Sequence, residues 1–530
     1  MSVANSPLRS VRAPNHLVAS ADHLATSAGV EMFARGGNAV DAAIATNAVI
    51  AVTGPHLCGM GGDLLALVHV DGETHALNAS GRAGSGADAA ALRGEGLTEM
   101  PFRLDIRSVT IPGCVDGWMA LHDRFGSLPL TSLLAPAIRL AAEGFGASAL
   151  LIGALHQTSD QGRVNLGEIA EQAMSRGSRI RRPGVARALE GIVENGRSSF
   201  YEGAFGGGLS ELGNGLFSAA DLSRIQANWE PVLSAEAFGV TLHTVGPNSQ
   251  GYLALAGARL ASQLDLPVDP DDDLWAHLLI EAAIAAGRDR PEQLHEGADG
   301  DALIRIIDGR LNEIDIERAT GQGAPSNDGD TTYLCTAGRD DAGREMAVSL
   351  IQSNASGFGS HLVEPNTGIN VHNRGMGFSL EADHPAEFGP GRRPPHTLLP
   401  MAATRDDGTL AAVLGTMGGD AQPQIMLQLA ARLFHHRQSP GRAIGAGRWV
   451  LHGSESGFDT WAAGRGPGIR LEGQAPENWA DALSERGHRT SSAPAWDSGF
   501  GHACAIVSGR DGMWIGSADP RAVVGSCAGG

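Results

Sequence analysis

The chain has 530 residues, 18% of them charged and 42% hydrophobic, enough to bury a large core. A formal net charge of −20 excludes the basic footprint of a nucleic-acid binder and disfavours anionic membrane surfaces. No lysine occurs, which removes Schiff-base lysines, Ser-Lys dyads and phosphate-loop lysines from the candidate chemistries.

The stretch from Met1 to Ala25 mixes Ser, Arg, Asn, Pro and His with no apolar run, so no secretory signal is read there. No segment approaches the roughly 20 apolar residues of a membrane span, and a cytoplasmic location is expected. Gly36-Gly37-Asn38 leads into an alanine-rich stretch, Ala39 to Ile50, with Asn38 as its N-cap; a tightly buried helix is predicted. A glycine-dense turn, Gly59 to Asp63, precedes a strand over Leu64 to Val70. The middle of the chain, Leu130 to Gly300, reads as mainly helical, most clearly at Leu133 to Ala142 and Leu274 to Ala286. Ala319 to Asp330 is a polar linker by composition.

After the linker the pattern turns to strands. Thr331 to Thr336 and Met346 to Gln352, separated by a turn over Gly338 to Gly343, predict a hairpin. Further strands are expected at Leu410 to Leu414, Ala503 to Val507 and Trp514 to Ser517, with a helix over Gln422 to His435. The five cysteines are scattered without a CxxC, and no histidine pair has HExxH spacing, so neither a disulfide framework nor a metal site is read, and no cofactor is expected. GxSxG and helix-opening GxGxxG are absent, which disfavours serine-elbow hydrolases and dinucleotide binding.

A linker running into Asp330-Thr331-Thr332-Tyr333 has two readings. One is a loop followed by a strand, where threonine is common. The other is chemical. A threonine hydroxyl needs a base to take its proton. If the peptide bond before Thr331 breaks, the new α-amine lies on the same residue, with an ordinary pKa of about 7.7–8, close to working pH. Such a site also needs oxyanion donors, and the paired glycines of Gly415-Thr416-Met417-Gly418-Gly419-Asp420 could supply backbone N–H groups.

Several segments, taken together and in order, resemble the gamma-glutamyltransferase family of N-terminal-nucleophile hydrolases. They are Gly36 to Ala43, Pro55-His56 with Gly59 to Gly62, Pro112 to Gly117, Leu133 to Ala142, Asp330 to Tyr333, Gly357 to Ser360, Thr367 to Ile369, Met417 to Gly419 and Ser517 to Arg521. The resemblance implies an α+β fold, a four-layer αββα sandwich. It implies cleavage between Asp330 and Thr331 into a large subunit (1–330) and a small one (331–530) that stay entwined as one domain, alone or as a homodimer of the pair. Thr331 becomes the nucleophile, Gly418 and Gly419 the oxyanion donors, and Ser353, or else Gln352, the polar side chain that supports the nucleophile. The activity implied is acyl transfer from a small amide such as a gamma-glutamyl amide to water or an amine.

The sequence departs from the family where the glutamyl group is held. The Arg of the usual R-E-x-A-P segment aligns with Ser80, with Arg82 two residues on; the Asp of M-D-D-F-S is replaced within Gly375-Met376-Gly377-Phe378-Ser379; and a Ser-Ser pair becomes His396-Thr397. Arg82, Ser80, Arg393, His396 and Thr397 are therefore candidate substrate contacts. A non-gamma-glutamyl amide, of the oxamate or cephalosporin-acylase kind, is the alternative substrate. An uncleaved binding scaffold is the alternative of another class.

Overall fold

The computed structural model describes residues 10–320, 331–340, 343–452, 458, 460–461 and 468–530. Two seven-stranded sheets stack face to face. The first runs in the order Ser526–Gly529, His16–Ser20, Thr332–Arg339, Glu345–Ser353, Asp63–Val70, Glu73–Ala79 and Asn228–Glu230. The second runs Val11–Ala13, Trp514–Ala518, Cys504–Ser508, Leu410–Gly415, Met401–Thr404, Val240–Val245 and Val232–Ala237.

Side-chain alternation along the strands builds the layers. Odd-numbered residues of the strands Thr332–Arg339, Glu345–Ser353 and Asp63–Val70, among them Leu65, Leu67, Tyr333, Cys335 and Ile351, meet Ala402, Val413 and Ile506 of the second sheet in a core between the sheets. Even-numbered ones, such as Leu64, Ala66, Leu334, Val348 and Leu350, face the opposite way onto helices. The helix Ala39–Thr53 leads that outer layer: Asn38 and Asp41 close a capping box, and all 15 residues are buried. Asp273–Gly287 and Gly251–Ser262 cover the second sheet. Four layers, αββα, result as expected.

The predicted hairpin forms but is longer: Thr332 pairs with Gln352 and Arg339 with Glu345. Gly338 belongs to the strand rather than the turn. A Cβ there would lie 2.6 Å from the ring of Phe33, so the glycine marks a packing contact. The helix expected over Gln422 to His435 is α-helical only to Ala430 and finishes as a π turn, Ala431–His435. The mainly helical middle contains a hairpin, Val232–Ala237 with Val240–Val245. Its first strand alternates buried and exposed positions, the two-residue period of an edge strand, and Phe238 and Gly239 turn it at positive φ. Among the described residues, no helix is long and apolar enough to cross a membrane.

Candidate active site

Register places three polar residues in one row across the first sheet. Thr332 pairs with Gln352, so Thr331 stands opposite Ser353, and Ser353 pairs in turn with Asp63 on the other side. All three have the odd parity of Tyr333, Ile351 and Leu65, so their side chains point into the seam between the sheets. Thr331 is buried, and its Oγ1 lies 3.1 Å from Ser353 Oγ. Ser353 Oγ also accepts the Ala355 N–H at 2.8 Å, which fixes the hydroxyl beside Thr331. Gly62 allows this packing: a Cβ there would sit 2.2 Å from the Ser353 carbonyl oxygen. Asp330 lies outside the described residues.

The glycine turn comes to the same end of the seam. Leu410–Gly415 lies against the strand after Thr331, and a Cβ on Gly415 would meet the Tyr333 ring at 2.2 Å. Three residues on, Gly418 and Gly419 have φ of 139° and 54°, backbone that glycine adopts without a Cβ penalty. Gln250 ties this turn to the neighbouring loop: its Nε2 donates to both the Gly419 and the Thr397 carbonyls, at 3.0 and 2.9 Å. Nothing in the sequence around Gln250 points to that role.

Asp63 is the hub that sequence reading missed; it appeared only as the end of a glycine turn. Its Oδ2 accepts from Arg374 Nε at 2.7 Å and from His396 Nε2 at 2.9 Å. Burial works to raise the Asp63 carboxyl, but Arg374 and then His396 beside it hold it well below the usual carboxylate range. Arg374 Nη1 donates to Thr397 Oγ1 at 2.9 Å. Two atoms of this buried group, Arg374 Nη2 and Asp63 Oδ1, have no hydrogen-bond partner among the described residues. His396 accepts the Leu398 N–H at Nδ1 (3.2 Å), so the neutral ring carries its proton on Nε2, facing Asp63. Burial pushes this imidazole down to about 4.

The remaining candidates form an adjoining cluster bonded mainly to one another, in which the buried Nε atoms of Arg82 and Arg393 have no hydrogen-bond partner among the described residues. Arg393 donates from Nη1 to Ser80 Oγ (2.9 Å) and Asn78 Oδ1 (3.2 Å), and from Nη2 to the Gln226 carbonyl (2.8 Å) and Asn228 Oδ1 (2.7 Å). Burial lowers its guanidinium to about 10. Arg82 pairs with Glu296 and donates to the Gly391 carbonyl at 3.1 Å. The structure thus groups His396 and Thr397 with Asp63 and Arg374, and gives Arg82, Ser80 and Arg393 to one another.

Two expectations arise here. Ser353→Ala should leave the fold intact and lower turnover by about 10–100-fold, the effect of losing one hydrogen bond of about 1.5–3 kcal/mol to the Thr331 oxygen as it gives up its proton. Steady-state kinetics on correctly folded protein would show it; unchanged turnover would remove Ser353 from the site. The second concerns acid. His56, His396 and His502 are held by burial at about 3, 4 and 4. Unfolded, each takes up its proton near 6.5. Stability is therefore full above that pH and falls as pH drops from 6.5 towards 4, because only the unfolded chain is protonated there. Melting temperatures across pH 8 to 4.5 should be level above about 7 and fall steeply below 6.5; a level profile down to 4.5 would contradict this.

Two twisted sheets between helical layers, with a threonine opening a central strand and paired glycines beside it, define the N-terminal-nucleophile hydrolase class. The chain belongs to the gamma-glutamyltranspeptidase family, whose model matches residues 25–528. It is similar to a glutathione hydrolase-like YwrD proenzyme of Bacillus subtilis, 31% identical over 97% of this chain and 98% of that one. It is also similar to an oxamate amidohydrolase proenzyme of Klebsiella pneumoniae, 32% identical over 94% of this chain and 96% of that one. Among solved structures, the cephalosporin acylase of Bacillus halodurans superposes with a TM-score of 0.88 at 31% identity, covering 98% of this chain and 97% of that one. The protein is a self-cleaving amidohydrolase of the gamma-glutamyltransferase kind.

Proposed function

We propose that Thr331 is both the cleavage point and the nucleophile, and that the processed enzyme hydrolyses a small amide bearing a carboxylate. The single observation that carries the substrate class is Arg374 Nη2, a buried guanidinium nitrogen without a hydrogen-bond partner among the described residues, on the residue that braces Asp63 beside Ser353 and Thr331. An unpaired buried donor of this kind is costly unless a ligand completes it. Arg82 and Arg393 each keep a buried Nε without a hydrogen-bond partner among the described residues, but their Nη atoms are engaged by Glu296 and by neutral acceptors, and of the three only Arg374 bonds the Asp63 carboxylate beside Ser353.

In the reaction, cleavage before Thr331 frees its α-amine, which takes the hydroxyl proton as Oγ1 attacks the amide carbon. The Gly418 and Gly419 amides receive the oxyanion, and Ser353 steadies Oγ1. The amine leaves with the proton, and water then releases the acid from the ester. Cleavage before Thr331 divides the chain into 1–330 and 331–530. The two parts alternate within both sheets: His16–Ser20 of the first lies between Ser526–Gly529 and Thr332–Arg339 of the second. Separation would break several ladders at once, so the pair stays together, in the cytoplasm, alone or as a homodimer.

Gamma-glutamyl amides are the second reading. They carry an ammonium as well as a carboxylate, and the unpartnered Asp63 Oδ1 is the acceptor that favours them. A trapping experiment separates the readings. The enzyme is incubated with oxamate and with gamma-glutamyl anilide, quenched, and weighed by mass spectrometry. An oxalyl adduct on the fragment starting at Thr331 supports the first, a glutamyl adduct the second. Adducts from neutral amides alone would overturn the carboxylate requirement.

A further inference from the structure

Far along the chain from these residues, His277, Glu281 and His488 bring one ligand atom each to within 4.8 Å of one another, all of them buried. His277 and Glu281 stand one turn apart on the helix Asp273–Gly287, and His488 follows the helix Trp479–Glu485. We propose that this trio is a binding site for a transition-metal dication of the zinc type, joining the part of the chain before Thr331 to the part after it.

The argument starts from the protons. His277 Nε2 lies 2.8 Å from the Asp315 carbonyl oxygen, which can only accept, so Nε2 carries the hydrogen and Nδ1 presents a bare lone pair. That arrangement, the far nitrogen donating to a backbone carbonyl, is how metal-binding imidazoles are usually oriented. Nδ1 points at His488 Nε2, 2.8 Å away, and His488 Nε2 lies 3.9 Å from Glu281 Oε1. Tetrahedral zinc with bonds of about 2.0–2.1 Å requires donor separations of about 3.3 Å, which these two distances straddle. Shifts of roughly half an ångström would seat the ion, with His488 moving its proton from Nε2 to Nδ1. Two imidazoles and a carboxylate are a ligand set that zinc accepts with a fourth position open.

The position gives the site a use. The Thr320 N–H and hydroxyl both donate to the Glu281 carboxylate, and the Ala319 N–H donates to the Arg486 carbonyl at 2.8 Å. The first two residues of the linker are therefore seated on the two elements that carry the three ligands. An ion there fastens a helix of residues 1–330 to a loop of residues 331–530. Binding itself does not depend on processing, so its test stands apart from that of Thr331.

The test uses the full purified protein, freed of metal by chelator dialysis. Zn2+ is added, excess is removed by gel filtration, and metal content is measured. One equivalent is expected for wild type, with at least a hundredfold weaker binding in His488→Ala and a smaller loss in Glu281→Gln. Co2+ in place of Zn2+ should give the intense visible bands of a tetrahedral site. Less than a tenth of an equivalent retained by wild type, a weak octahedral Co2+ spectrum, or equal retention by His488→Ala would overturn the site. Should His488→Ala fail to fold, the wild-type Co2+ spectrum decides alone.

Discussion

Thr331→Ala is expected to give a single uncut chain of 530 residues with turnover reduced by at least about 10⁴-fold. The substitution removes the Oγ1 that lies 3.1 Å from Ser353 Oγ, and with it the ester through which both self-cleavage and amide hydrolysis pass. Alanine fits the space without strain, so the fold should survive, and circular dichroism should match wild type. Thr331→Ser keeps the oxygen and the register. It should still cleave, more slowly, because the lost methyl leaves the hydroxyl freer to rotate. Denaturing gels and intact mass read the cleavage, and amide hydrolysis reads the catalysis. Two fragments from Thr331→Ala would move the cleavage point elsewhere. One fragment with normal turnover would separate catalysis from processing altogether.

The layers and the row at the nucleophile were legible for different reasons. Asn38 with its helical apolar spacing specified a buried helix locally, because a cap and a run of small residues need no distant partner. The hairpin starting at Thr331 was legible because strand period and turn residues lie within about 20 positions of each other. Asp63 and Arg374 were not. They are 311 residues apart, and neither sits in a pattern that distinguishes a buried ion pair from a surface charge. Their meeting is set by register: Ser353 pairs with Asp63, and the loop after Asn370–Val371 returns Arg374 to that carboxylate. Arg82 and Arg393 drew attention because each lay near a known grip on glutamate, yet the fold uses them to bind Glu296, Ser80 and nearby carbonyl and amide oxygens. Gln250 was equally hidden, since a lone glutamine carries no spacing signal.

Breaking the Asp63–Arg374 pair should have the largest effect on stability of any single change near the site. Arg374→Met leaves the Asp63 carboxylate buried with only the imidazoles of His396 and His372 beside it among the described residues, a loss of about 3–5 kcal/mol for such a pair. The double variant Asp63→Asn with Arg374→Met removes both charges, and buried pairs replaced together are often neutral, so most of that stability should return. His396 can still donate to the asparagine oxygen. Substrate binding should not return with it. An anionic amide loses a charge-assisted hydrogen bond of about 1.5–3 kcal/mol, so kcat/KM should stay roughly 10–150-fold down in the double variant, while a neutral amide of the same size is hydrolysed as before. Chemical denaturation and paired kinetics on the two amides separate the outcomes. If the double variant regains both stability and its preference for the anion, Arg374 is a brace for Asp63 and the carboxylate is held by another group. If stability stays low while the neutral amide is also lost, the pair shapes the whole seam between the sheets, and the selective role falls.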